Sequence, residues 1–307
     1  MQSSNFSQKT YTVYLGSSGY ARTVFKEAAI ETGRLIGAQN HSLVYGGMDA
    51  GLMGLVAQAA LDSGAHVTGI IPEKIKDSER ILRGLSETVM VHDLWDRKKR
   101  MFMMADVVVS LPGGFGTLDE TLEMLYWGAL KLHDKPLVLV NIEGFWNPLM
   151  AYLRSLPDFD PRYVALVDTP EEIFSMTQNL SLPKADRGRQ DRFPHFEDEI
   201  SRNTAAPIWI DRPSIENSYY LVCALGLKQL GKHKRPIGIL NEGGVFDDLI
   251  AWFHTAQKER FITDKCLRLF DAAGDAAALH KALERQSLEA VEIDLHAEKW
   301  GASVIGS

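Results

Sequence analysis

Between Pro112 and Glu120 the chain reads Pro-Gly-Gly-Phe-Gly-Thr-Leu-Asp-Glu, placing three glycines, a threonine and two acids in one short run. The β-branched stretch Val107 to Leu111 precedes it and an apolar-periodic stretch follows, so it reads as strand, tight loop and helix start. Glycines at 113, 114 and 116 let backbone approach an oxygen-rich ligand. The helix start behind them offers free N–H groups and about half a positive charge, which suits a phosphate. Thr117 can add its hydroxyl to the same anion. Glu120 falls in the first helical turn, where a carboxylate also serves simply as a dipole partner. Behind an anion loop it could instead hold ribose hydroxyls, stabilise an oxocarbenium-like transition state or activate water. Glu123, at i+3, should share the face of Glu120, whereas Asp119 should point elsewhere.

Upstream, Asp96-Arg97-Lys98-Lys99-Arg100 precedes an apolar helix expected over Met101 to Ala105. Such a run is commonly a solvated helix face. Here it leads into the strand that carries the glycine loop, so at least one cation should face the pocket. Arg97 suits that task, because a guanidinium stays charged and can fork onto a phosphate or carboxylate. Two further glycine-bearing turns, Gly16-Ser17-Ser18-Gly19 and Tyr45 to Gly54 with Gly46 and Gly47, complete a nucleotide-sized pocket if they share one sheet edge.

The elements that must position these residues follow from alternation. Tyr11 to Leu15, Ser42 to Tyr45, His66 to Ile71, Val107 to Leu111, Leu137 to Val140 and Val164 to Val167 read as strands separated by helical patterns. That order specifies an α/β fold with a parallel sheet covered by helices, whose ligands sit beyond the carboxyl ends of the strands. A charged stretch without apolar periodicity, from Pro183 to Arg192, suggests a first domain over 1–183, a linker over 184–205 and a smaller α/β unit over 206–307. In that unit strands are expected at Ile208 to Ile210, Ile237 to Leu240 and Leu267 to Phe270, with helices from about Ser214 and over Phe246 to Lys258.

The second unit reads as a worn copy of the end of the first. Lys135, Pro136, Asn141, Gly144, Leu149 and Ala151 are answered one hundred positions later by Arg235, Pro236, Asn241, Gly244, Leu249 and Ala251. Asp168 before a helix at Glu171 looks answered by Asp271 before one at Asp275, an offset of 103. The place of the glycine loop is taken by Trp209 to Glu216, which contains no glycine, so a second phosphate site is not expected there and Glu216 is not expected to be catalytic.

The chain has 307 residues and a formal net charge of −7, which disfavours a nucleic-acid binder while leaving a small anionic ligand possible. Cys223 and Cys266 match neither a metal site nor a disulfide framework. Met1 to Thr10 lacks the order of a secretory signal, and no apolar run approaches a membrane span. A cytoplasmic protein without membrane or nucleic-acid partners is expected.

Together these residues resemble the Lonely Guy family of cytokinin riboside 5′-monophosphate phosphoribohydrolases, once misnamed lysine decarboxylases. The family pattern PGGxGTxxE is met from Pro112 to Glu120, its Arg-Lys pair by Arg97 and Lys98, and its early glycine turn by Tyr45 to Gly54. The similarity runs from about Tyr11 to Leu180 and includes His133, Asp134, Lys135 and Pro136. It implies a Rossmann-like parallel sheet with helices on both faces, and release of a free base and ribose 5-phosphate from a nucleotide. Glu120 and Arg97 inherit the catalytic roles by this likeness, and Gly113, Gly114, Gly116 and Thr117 the 5′-phosphate. Ser17, Ser18, Gly46, Gly47 and Lys98 are the further expected substrate contacts, with no metal and no cofactor. Met48 stands where the family has a third glycine, Asp119 where glutamate is common, and short members end near residue 180. The usual assembly is a homodimer; here the added unit suggests an intrachain pseudo-dimer as the other possibility. A non-catalytic nucleotide or molybdopterin-type carrier of the same fold is the alternative function, and the base is open among adenine, N6-modified adenine and pyrimidines.

Overall fold

The computed structural model describes residues 7–75, 81–177, 181–186, 193–202 and 204–288. The polar start up to residue 6, Arg187, Gly188 and Arg189 of the expected linker, and the chain after residue 288 lie outside them. The first strands are β1 Thr10–Tyr14, β2 Ser42–Tyr45, β3 His66–Pro72, β4 Glu87–Val91, β5 Val107–Ser110, β6 Leu137–Val140 and β7 Val164–Val167. They form one parallel sheet in the order β4-β3-β2-β1-β5-β6-β7. Helices α1 Thr23–Ala38, α2 Gly51–Asp62, α3 Leu94–Met104, α4 Phe115–Ala129, α5 Asn147–Ser155 and α6 Glu172–Met176 flank it. All of β5 and β6 is buried, as expected of Val- and Leu-rich central strands covered on both faces. Between β1 and β5 the chain order reverses, which opens a crevice beyond their carboxyl ends.

Two expectations need correction here. Strand β4 carries Glu87, Thr88 and Met90 exposed at the sheet edge, so it lacks the apolar run that marks the other strands. Helix α3 starts at Leu94 rather than after Arg100, because the Asp93 side chain caps it by accepting from Asp96 N at 2.9 Å. The basic run is therefore inside the helix, with Arg97 and Lys98 one turn from its start.

The remainder comprises α7 Glu197–Ile200, β8 Ile208–Ile210, α8 Ile215–Gln229, β9 Ile237–Leu240, α9 Asp247–Lys258, β10 Asp271–Ala273 and α10 Ala276–Leu288. Its strands make a parallel sheet ordered β10-β9-β8. The strand expected at Leu267 to Phe270 is instead a 3-10 turn over Cys266–Arg268, which buries Cys266 and Leu269 at i, i+3; the strand starts four residues later, at Asp271. Of the expected linker, residues 193–202 are packed rather than free: Phe193 is buried against Phe102 and Trp127, and Trp127 Nε1 donates to Pro194 O at 2.9 Å.

The likeness between the two parts extends to individual hydrogen bonds. His133 Nε2 meets Met124 O at 2.9 Å, and His233 Nε2 meets Ala224 O at 2.9 Å. Asn141 Oδ1 accepts from Trp146 N and Asn241 Oδ1 from Phe246 N, both at 2.8 Å. Left-handed backbone recurs at Glu143 (φ 51°) and Gly243 (φ 64°). Past that point the offset changes: Asn141 N donates to Val167 O and Asn241 N to Ala273 O, so Ala273 answers Val167 and the Asp168–Asp271 equivalence is wrong by three residues. Asp271 begins β10 rather than preceding a helix.

The two parts share one continuous core, with α4 against α8 and α5 against α9. Trp146 stacks on Trp252 with ring centroids 5.7 Å apart and planes 14° from parallel, and Tyr152 meets Phe246 at 6.1 Å. Trp252 is fully buried, so Trp252→Ala is expected to cost about 3–5 kcal/mol of stability, read as a lower urea midpoint. An unchanged midpoint would mean that the two parts do not depend on this contact.

Candidate active site

Three turns converge on the crevice. Gly16 N donates to Pro112 O at 3.2 Å, and Leu52 N donates to Gly16 O at 3.1 Å, tying the first loop to the glycine loop and to the start of α2. Close backbone approach explains the glycines at 16 and 113. A Cβ on Gly113 would lie 2.1 Å from Thr117 Oγ1 and 2.9 Å from Gly16 N, so no other residue fits without displacing the loop. Gly114 caps α4, whose first turn carries Phe115, Gly116 and Thr117. Around Gly116 there is open space on the side where a Cβ would project.

The resulting cavity, about 920 Å³, is lined by Gly16, Ser17, Ser18, Gly46, Arg97, Lys98, Gly114, Gly116, Thr117 and Glu120 among others. Nine of the eleven expected site residues thus share one wall system, with Gly16 beside them. Gly47 and Gly113 do not line it: Gly47 (φ 77°) packs towards Ile71, and Gly113 backs onto Thr117 and Gly16. Both act by letting neighbouring backbone close up.

Helices α3 and α4 bring the chemistry together. Lys135 Nζ fastens the end of α3 by donating to Phe102 O, Met103 O and Ala105 O at 2.8, 3.0 and 2.6 Å, while the His133 contact with Met124 O holds α4. At the other end of these helices Arg97 Nη2 lies 3.6 Å from Glu120 Oε1, with side chains 19% and 11% exposed. Arg97 Nε is buried and makes no hydrogen bond among the described residues, leaving it available to an incoming oxygen. Burial pushes the Glu120 carboxyl up to about 7 and Asp119 adds to this, against the pull of Arg97 and Lys98.

Lys98 is differently placed. Its ammonium is buried between Asp119 Oδ2 at 2.8 Å, Glu197 Oε1 at 3.1 Å and Glu123 Oε1 at 3.2 Å. Burial alone would lower its pKa, but these carboxylates outweigh it and hold Lys98 well above the ordinary lysine range. Burial also pushes Glu123 up to about 8 and raises Asp119, with Lys98 opposing both. Glu123 is turned away from the cavity and accepts a short hydrogen bond from the Tyr219 hydroxyl of α8. The expected division on α4 is therefore reversed: Asp119 lines the cavity beside Glu120, with Oδ1 buried and unpartnered among the described residues, and Glu123 faces α8 because α8 packs there.

The sequence reading missed the far wall. Glu197 and Asp198, then Cys223, Gly226 and Gln229 of α8, and the segment Arg260 to Asp264 after α9 all line the same cavity. No motif marks them; the only available signal was the internal repeat, which would set them opposite the site if the two parts paired like subunits.

The family model described as "Possible lysine decarboxylase" matches residues 53–176 and 221–283, and the second stretch runs from α8 into α10. A probable cytokinin riboside 5′-monophosphate phosphoribohydrolase of Oryza sativa subsp. japonica is 38% identical over 175 residues, covering 55% of this chain and 72% of that protein. A cytokinin riboside 5′-monophosphate phosphoribohydrolase of Arabidopsis thaliana is 41% identical over 145 residues, covering 47% and 68%. Among solved structures, a molybdenum cofactor binding protein of Rippkaea orientalis matches 57% of this chain and 98% of its own, with 21% identity and a TM-score of 0.46.

The pairing of Arg97 with Glu120 has a direct readout. In a carboxyl-carbon NMR titration assigned with Glu120→Gln, the Glu120 signal is expected to titrate near pH 7, and Arg97→Ala should move that midpoint upward because it removes the charge that most favours the carboxylate. A midpoint in the ordinary glutamate range would contradict the burial seen here.

Proposed function

Because the chain belongs to the Lonely Guy family, we propose that it hydrolyses the N-glycosidic bond of a nucleoside 5′-monophosphate to the free base and ribose 5-phosphate. The observation that carries this reading is the Arg97–Glu120 pair, 3.6 Å apart at the N-terminal end of α4, in the cavity that also holds the glycine loop.

The 5′-phosphate sits at the start of α4, against the N–H groups of Gly114 to Thr117 and the Thr117 hydroxyl, with Ser17 and Ser18 on the facing loop. Gly113, Gly46 and Gly47 serve by keeping the backbone close. Arg97 directs its free Nε towards substrate oxygen and keeps Glu120 partly ionised. Asp119 Oδ1 and Glu120 face the ribose. As the base departs, positive charge grows on C1′ and the ring oxygen, and the Glu120 carboxylate beside it lowers that barrier in a site screened from water. Water adds across the broken bond: its hydroxyl goes to C1′ and its proton, taken by Glu120, is passed to the leaving base. Lys98 is saturated by three carboxylates, so its role is to hold Asp119 and α3 in place rather than to bind phosphate.

AMP is the simplest substrate. An N6-modified AMP, in keeping with the names of the relatives, fits the apolar side of a cavity lined by Met53, Met101, Leu227 and Leu230. We place the reaction in the cytoplasm, where the buried thiols of Cys223 and Cys266 stay reduced; no helix among the described residues is long and apolar enough to cross a membrane.

Incubation with AMP, N6-isopentenyl-AMP, CMP and UMP, followed by chromatography of base and ribose 5-phosphate, tests the reading. Wild type should release base, and Glu120→Gln and Arg97→Ala should each lose about 100-fold or more in kcat. Nucleotide binding without cleavage would favour a carrier, and an active Glu120→Gln would move the chemistry to Asp119. The pH profile has a definite sign. Because Glu120 is pushed up to about 7 and works as the carboxylate, the rate should rise as pH climbs through 7 and fall tenfold per pH unit well below it. A rate independent of pH between 5 and 8 would overturn that role for Glu120.

A further inference from the structure

The contacts between the two parts come as swapped pairs. Trp146 meets Trp252 while Tyr152 meets Phe246, and each residue of one pair has its partner in the other exactly one hundred positions away. Helix α4 lies on its own counterpart α8, and α5 on its counterpart α9. This is the pattern of an isologous two-fold interface, in which one surface patch meets a second copy of itself. Here both copies belong to one chain.

The same exchange reaches the helix N-termini. The segment after α5 touches the start of α8: the Asp158 carboxylate accepts from Ile215 N at 2.9 Å. The segment after α9 touches the start of α4: a Cβ on Gly114 would come within 2.8 Å of Phe261 O, and one on Gly16 within 2.7 Å of the Phe261 ring. Ser18 Oγ donates to Arg260 O at 2.7 Å, and Arg22 bridges to Glu259 at 3.0 Å. The two ends have diverged in use. At the start of α8 a side-chain carboxylate already fills the anion position, and Tyr220 stands where α4 has Glu120. At the start of α4 the position is open to the cavity.

We propose that residues 206–288 are a resident partner subunit: they cover the face on which a second chain would dock, wall the one site through Arg260 to Ile262, and leave the protein a monomer with a single phosphate position. The covered face does not rest on the nucleotide reading, because the swapped pairs define it whatever the substrate; the single phosphate position does rest on it.

Sedimentation equilibrium of the full chain at micromolar concentration is expected to give one species of 34.2 kDa. A stable species of twice that mass would overturn the proposal. Calorimetric titration with ribose 5-phosphate is expected to saturate at one equivalent per chain, and two equivalents would equally overturn it. Phe261→Ala should weaken that binding about tenfold or more without changing the mass, since the ring both lines the cavity and packs against Gly16, whose N–H is tied to the glycine loop at Pro112. Undiminished affinity would remove the second unit from the site.

Discussion

The Lys98 ammonium is the fixed point of this molecule. An isolated buried charge is costly, and breaking a buried pair by removing one partner typically costs several kcal/mol. Lys98 therefore holds three carboxylates from two other places in the chain: Asp119 and Glu123 on α4, and Glu197 on the segment before the second unit. That requirement sets the spacing of α3 and α4 and brings the preceding residue of α3, Arg97, to Glu120. Neighbours in sequence thus take different tasks: Lys98 is saturated, while Arg97 lines the cavity with a buried Nε that makes no hydrogen bond among the described residues.

Burial then does the electrostatic tuning. The α4 carboxylates 119, 120 and 123 are all pushed upward by desolvation, and the cations of α3 oppose it. Glu120, nearest to Arg97, ends close to neutrality; Glu123, shared between Lys98 and the Tyr219 hydroxyl, ends higher. Perturbed carboxyls at a helix start inside a cavity are common in catalytic sites, yet Glu123 shows that a similar shift also arises in a purely interfacial network. Orientation distinguishes the two. Glu120 lines the cavity, and Glu123 is spent on α8.

Much of this was legible in the residues. The central strands announced themselves because Val107 to Ser110 and Leu137 to Val140 are apolar throughout, and the glycine loop because its residues have few other uses at that spacing. The likeness of the two parts was visible in Asn141 and Asn241, whose side chains fold the following turn in the same way. What escaped had no local signature. Edge strand β4 is half polar, the start of α3 depends on a single capping aspartate, and β10 is three residues long. Asp119 and Glu123 were assigned to the wrong sides because helical spacing says which residues share a face, not what packs against it.

The covalent tie between α4 and α8 changes what dilution does to the site. Two separate chains meet with a frequency set by their concentration, and a site walled by both comes apart as protein becomes scarce. Two segments of one chain meet at an effective concentration fixed by the connecting residues, commonly in the millimolar range for short links. The wall formed by Arg260 to Ile262 is then present in every folded molecule, however few there are. Freed from having to serve as both halves of a symmetric pair, each half can also accept changes that the other does not share, as Asp158 against Ile215 and Tyr220 at the position that answers Glu120 illustrate.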